Sequence, residues 1–175
     1  MSNVLVIHPN DRSTDFLKLV YKDKNYDIIN SCEILGDELK EIIKKYDKII
    51  MVGHGTSMGL LNPKKGGYII DNSFADLLRT KETISIWCFS NMYFERNDII
   101  GFHTGMIISE VVEELYMLGH CPLDKKEILK NMEFMSNCFN KCIDKSPEEI
   151  KEYMLKHYVG NDEVTQFNRK NMIVI

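Results

Sequence analysis

Apolar residues along this chain gather in short unbroken runs that alternate with stretches of helical spacing. The run in "NVLVIHPN" is stopped by Pro9 and lacks the polar alternation of a half-exposed strand, which predicts a strand buried on both faces. "STDFLKLVYK" predicts a short helix capped by Ser13 or Thr14, and "YDIIN" a second strand. In "GDELKEIIKKYDKIIMVGHG", Leu39, Ile42, Ile43 and Tyr46 recur at helical spacing before the run Ile49, Ile50, Met51, Val52, so a helix feeds a third buried strand.

"LLNPKKGGYII" carries Pro63, Gly66 and Gly67 between apolar pairs and predicts a hairpin or loop excursion. "DNSFADLLRTK" predicts a helix with an Asp or Asn cap, "TISIWC" a fourth strand ending at Cys88, and "DIIGFHTG" a fifth. "MIISEVVEELYML" predicts a helix with Ile108, Val111, Val112 and Leu115 on one face. From Asp124 to His157 the spacing is helical, with Ser146, Pro147 and Glu149 forming a capping box with proline at the first helical position. The final "MIVI" predicts a late strand. Strands alternating with helices predict an α/β fold, a three-layer sandwich around a mainly parallel sheet. One domain over 1–175, with a helical C-terminal third at about 124–158, accounts for the whole pattern.

Composition narrows the function. Apolar residues at 44% and charged residues at 27% are the balance of a globular protein, neither disordered nor membrane-spanning. A net charge of −4, with the lysines scattered, argues against a nucleic-acid partner, because phosphate neutralisation needs clustered cations. Met1 leads directly into the first apolar run without a basic n-region, so no secretory signal is visible and a cytoplasmic location is expected. Five cysteines, an odd number, then suggest free thiols, one of which could be chemical.

The segment "MVGHGTSMGLLN" permits two active sites. Gly55, Ser57 and Gly59 spell G-x-S-x-G, the nucleophile elbow of a serine hydrolase, with His103, His120 or His157 available downstream. An elbow requires a strand ending just before the first glycine and a helix starting just after the serine. Here the apolar run stops at Val52, and Pro63 with two glycines cannot continue a helix. His54 and Gly55 alternatively stand just beyond a buried parallel strand, at the edge where open α/β sheets hold ligands. Cys88 ends "ISIWC" in an equivalent place. If the two strands are neighbours, imidazole and thiol face one cleft.

An apolar block ending in His-Gly, "IIMVGHG", followed by a second ending in Cys, "ISIWC", resembles the caspase-like cysteine peptidases, which include caspases, legumain, gingipains, clostripain and separase. The resemblance covers about Val4 to Glu110 and implies a caspase-like sheet. It implies that Cys88 is the nucleophile, His54 its acid–base partner and Gly55 an amide donor to the oxyanion. The caspase Q-A-C-x-G signature is absent, so an acidic preference before the scissile bond is not implied. For a substrate pocket the family draws on the segment after the first strand and on segments after the Cys strand. Asp11 and Glu110, with Asp15, are there candidates for holding a basic side chain, whereas Arg12 or Arg96 would suit an acidic one.

The residues themselves support acyl transfer, which needs a thiol deprotonated on demand, an acid for the leaving amine and donors for the oxyanion. A Cβ-free Gly55 would let its amide approach the substrate, and a methyl there is expected to leave folding untouched. The expected partner is a peptide or protein substrate, with no cofactor; the oligomeric state stays open. The alternative is a catalytically silent caspase-like scaffold that binds a partner or ligand in the same cleft. His8 ends the first strand either touching substrate or solvated. His120, Cys121, Cys138 and Cys142 could be drawn as a zinc site, but Cys138 and Cys142 continue the stripe Ile128, Met132, Met135, Phe139, so no metal is expected.

Overall fold

The unbroken apolar runs become neighbouring strands of one sheet in a computed structural model, which describes residues 3–175. Strand β1 spans Val4–Ile7, β2 Asp27–Ile29 and β3 Lys48–Val52; helix α1 spans Gly36–Ile43. A hairpin excursion follows, with β4 at Gly55–Thr56, β5 at Gly59–Leu61 and β6 at Tyr68–Ile70. Then come α2 at Ala75–Leu78, β7 at Glu82–Ile86, α3 at Ser90–Arg96 and β8 at Gly101–Thr104. The remainder is α4 at Val111–Leu118, α5 at Lys125–Cys142, α6 at Pro147–His157, α7 at Glu163–Lys170 and β9 at Met172–Val174.

The main sheet has six strands in the order β2-β1-β3-β7-β8-β9. The first five run parallel, and β9 closes the edge antiparallel to β8. A second, three-stranded antiparallel sheet is made of β4, β5 and β6. All five residues of β3 are buried, as a central strand covered on both faces requires. Successive side chains go to opposite layers. Ile50, Val52, Ile84 and Ile86 pack with α5 and α6 residues such as Met132, Phe139 and Met154. Ile49 and Met51 pack instead with Leu39 and Ile43 of α1 and with Phe74, Tyr93 and Phe94. The protein is thus α/β, with helices on both faces of a mainly parallel sheet. Among the described residues, no helix is long and apolar enough to cross a membrane.

Four local expectations change. The segment after β1, Arg12–Tyr21, is a 3-10 helix capped by Asp11, whose carboxylate takes the Ser13 N–H, and not an α-helix capped by Ser13 or Thr14. Strand β7 stops at Ile86, short of Cys88, and α3 begins almost at once, although "SNMYFER" carries no capping signal. Helix α4 is turned over relative to its apolar stripe. Val112, Leu115 and Tyr116 are 52%, 55% and 80% exposed, whereas Glu114 is buried with its Oε1 accepting the Leu123 N–H at 3.2 Å. Finally, α7 with its Asp162 cap has no counterpart in the expected elements.

Candidate active site

The site is built by strand register. In the parallel β3–β7 pair, Val52 lies opposite Ile86, and His54 and Cys88 each follow their strand's paired residue at the same distance along the chain. Gly53 N–H donates to Ile86 O at 3.2 Å, carrying the pairing past the end of β3. Both side chains consequently line one slot of about 20 Å³, together with Thr14, Phe16, Trp87 and Ser109. That volume holds about one water. No hydrogen bond joins the imidazole to the thiol among the described residues.

His54 is anchored from the segment after β1. Its Nε2 lies 2.8 Å from Ser13 Oγ, and Ser13 Oγ donates to Asp11 Oδ1 at 2.8 Å. Asp11 Oδ2 stands 3.9 Å from the same Nε2. Burial opposes ionisation of Asp11, but hydrogen bonds from Ser13 N–H and Oγ–H, with His54 alongside, hold its carboxyl below the ordinary range. Asp11, a candidate for holding a basic side chain, has its Oδ1 taken by Ser13 N–H and Oγ–H and its Oδ2 turned toward His54, and the residue also lines an open space beside His54. Ser13 was expected only as a cap, and an Asp-x-Ser just after a strand end is the local signal that it could do more.

Cys88 is half-buried, and its Sγ lies 3.6 Å from Ile107 O. Burial pushes the thiol up to about 11, with the Glu113 carboxylate acting in the same direction, so at neutral pH it is uncharged. The next residue, Phe89, has φ 63 and ψ 24. A non-glycine residue in this left-handed region costs on the order of 1–2 kcal/mol, and here it turns the chain sharply from strand end into α3. Phe89 N–H donates to Gly105 O at 3.0 Å, and Ser90 Oγ and Thr104 N–H lock the turn to the end of β8.

Gly55 opens β4 rather than continuing β3. Leu61 N–H donates to His54 O at 2.9 Å, which makes the Gly55–Leu60 pair the non-hydrogen-bonded kind and leaves Gly55 N–H outside the hairpin ladder. The Trp87 indole lies against this glycine. A Cβ at position 55 would stand 2.1 Å from Trp87 Cδ1, so a methyl there is not the harmless change expected from the chain alone. Trp87 Nε1–H also donates to Thr56 O at 3.2 Å, and Arg96 Nη2 to Ser57 O at 2.7 Å, so the hairpin is tied to both sides of the Cys88 turn. Ser57 occupies the β4–β5 turn, with a strand and no helix after it, which is not the setting of an elbow serine.

The remaining candidates disperse. His8 is neither solvated nor open to substrate: its Nδ1 accepts from Tyr21 OH at 2.8 Å, its Nε2–H donates to Thr14 Oγ1 at 3.1 Å, and burial lowers it to about 4. His103 is fully buried between Ser85 Oγ at 2.8 Å and the Phe94 ring at 3.9 Å. Cys138 and Cys142 lie in the core, whereas Cys121 and His120 are exposed. Among the described residues no cluster of His, Cys, Asp and Glu could hold a metal. Asp15 pairs with Lys18 at the surface.

Two larger spaces adjoin the slot. One, of about 190 Å³, lies on the His54 side between Asp11, Pro9, Leu61, Gly66 and Gly67. The other, of about 590 Å³, contains Glu110 and opens beside Phe16 and Ser109. Glu110 itself is exposed, and its N–H is held by Glu113 Oε2 at 3.0 Å. Comparison with known proteins matched no protein-family model and no curated protein.

Proposed function

We propose that the protein is a caspase-like cysteine hydrolase of the peptidase type, with Cys88 as nucleophile and His54 as its acid–base partner. The observation that carries this reading is the register of β3 and β7, which brings a strand-end imidazole and a strand-end thiol to one slot. The anchoring of His54 by Ser13 and Asp11 adds support, because an imidazole oriented by a third group is the recurring arrangement behind an activated nucleophile.

The chemistry follows from the uncharged thiol. As Cys88 Sγ attacks the substrate carbonyl carbon, its proton passes to His54, and the carbonyl electrons collect on oxygen. Gly55 N–H, outside the hairpin ladder, and Cys88 N–H are the donors suited to that oxyanion. Collapse breaks the C–N bond, His54 returns the proton to the leaving amine, and a thioester remains on Cys88. Water then loses a proton to His54 and attacks the thioester, releasing the acid and restoring the thiol.

A second reading, the silent scaffold, draws on the slot of about 20 Å³ and on Cys88 Sγ already facing Ile107 O. The two readings separate on a peptide library assayed with wild type and Cys88→Ala, alongside labelling by peptidyl chloromethyl ketones. Small alkylating agents are a poorer probe, since the exposed Cys121 competes with Cys88. Cleavage that vanishes in Cys88→Ala, with ketone attached at Cys88, is the expected result. A wild type that cleaves nothing and takes no label at Cys88 leaves the scaffold.

A further inference from the structure

Helix α4 exposes its apolar residues and buries Glu114, so its outward face calls for a partner. The first turn of α4, at Val111 and Val112, meets α5 and the 3-10 helix along the space of about 590 Å³, within the roughly 300–1,000 Å³ common for ligand pockets. Ile128 and Met132 are buried at 2% and 0% exposure and make its floor. Val111, Val112 and Leu129, at 36%, 52% and 50% exposure, make its sides. Phe16 and Ser109 line both this groove and the slot that holds Cys88, so the two are adjacent.

We infer that the groove is the acyl-side subsite and receives a large aliphatic or aromatic side chain of a peptide, next to the carbonyl that Cys88 attacks. The inference rests on the cysteine-hydrolase reading and supplies its substrate class. Direction comes from the two flanking spaces. The acid that protonates the leaving amine must stand on the amine's side of the bond. His54 lines both the slot and the smaller space of about 190 Å³, whereas Cys88 lines the slot alone. The leaving group therefore goes toward Gly66 and Gly67, and the acyl side toward Phe16.

Charge selects the side chain. A basic residue buried here would need a carboxylate at the floor, and the one carboxylate lining the groove is the exposed Glu110. Arg12 and Lys125 line it too, and neither forms an ion pair among the described residues, so a cationic guest meets like charge. An acidic side chain would find those cations exposed while its own carboxylate lay on Ile128 and Met132. An apolar side chain gains from the floor and asks nothing of the charges around it.

The test compares peptides that differ only in the residue before the scissile bond, using wild type, Leu129→Asp and Val112→Asp. Leu, Phe and Met should be preferred. Either substitution, on an exposed wall, should lower kcat/KM for the Phe peptide roughly 10- to 100-fold and change the Ala peptide far less. Independently of turnover, acetyl-phenylalaninamide added to the Cys88→Ala protein should shift the methyl resonances of Val111, Val112 and Leu129. A preference for Arg or Lys that disappears in Glu110→Gln, or for Asp or Glu that disappears in Arg12→Gln, overturns the groove and keeps the Cys88 chemistry. Methyl shifts in a protein that cleaves no peptide support the apolar site and overturn the hydrolase reading. Absence of both cleavage and shifts overturns both.

Discussion

His54 Nε2 and Ser13 Oγ lie 2.8 Å apart across 41 residues of sequence, and the direction of the bond between them is set by chemistry. Ser13 has a single hydroxyl hydrogen, which it gives to Asp11 Oδ1, so it must accept from His54. In the neutral ring the hydrogen of His54 is then on Nε2 and Nδ1 is the acceptor nitrogen. Ser13 and Asp11 thus select the tautomer and the ring orientation of His54.

That assignment makes Ser13 and Asp11 positioning residues. Ser13→Ala should lower kcat on the order of 10- to 100-fold with little change in KM, and Ser13→Thr should recover most of the loss. Asp11→Asn keeps the helix cap, since Asn caps as well as Asp, so its thermal midpoint should hold while turnover falls and the pH–rate profile shifts. Unchanged kcat in Ser13→Ala would remove the relay from the mechanism.

The choice of nucleophile is open to direct comparison. Cys88→Ala and His54→Ala should each remove activity by several powers of ten, as members of a unit that works together. Ser57→Ala should keep most of it, because Ser57 sits in a hairpin turn with its carbonyl held by Arg96. Loss of activity in Ser57→Ala with a normal circular dichroism spectrum would return the serine to consideration.

Gly55→Ala is expected to affect stability and turnover together. Its methyl would meet the Trp87 ring at 2.1 Å, and overpacking of this kind costs about 1–3 kcal/mol. Trp87 is the protein's single tryptophan, so its fluorescence reports the displacement directly. A variant with unchanged emission and urea midpoint would mean that the indole does not cover Gly55 in solution.

Acid stability depends on His8. Burial lowers it from 6.5 to about 4, so between those values the unfolded chain binds a proton that the folded chain refuses. The stability His8 contributes is complete above about pH 6.5 and is lost as pH falls toward about 4, roughly 3 kcal/mol in all. Urea midpoints of wild type should therefore drop more steeply over this range than those of His8→Gln. Parallel pH curves for the two proteins would contradict the burial of an uncharged imidazole.

Much of this architecture was legible in the residue pattern. A central parallel strand is covered on both faces, so the unbroken apolar run of β3 announces itself without partners, whereas "TISI" alternates polar and apolar residues and only the fold buries Thr83 and Ser85; Ser146, Pro147 and Glu149 start α6 by purely local hydrogen bonding. The candidate pair, His54 and Cys88, was visible because each follows one of these runs. Tertiary structure alone decided that the two runs are neighbours in register, because strand order is chosen by packing between segments far apart in the chain. It also decided which way α4 faces. The apolar stripe at Val111, Val112 and Leu115 is a local property, but the side turned inward, where Glu114 accepts the Leu123 N–H, is set by packing with distant segments. The Asp11–Ser13–His54 relay and the indole over Gly55 are of the same kind, contacts whose energies exist only once distant segments have met.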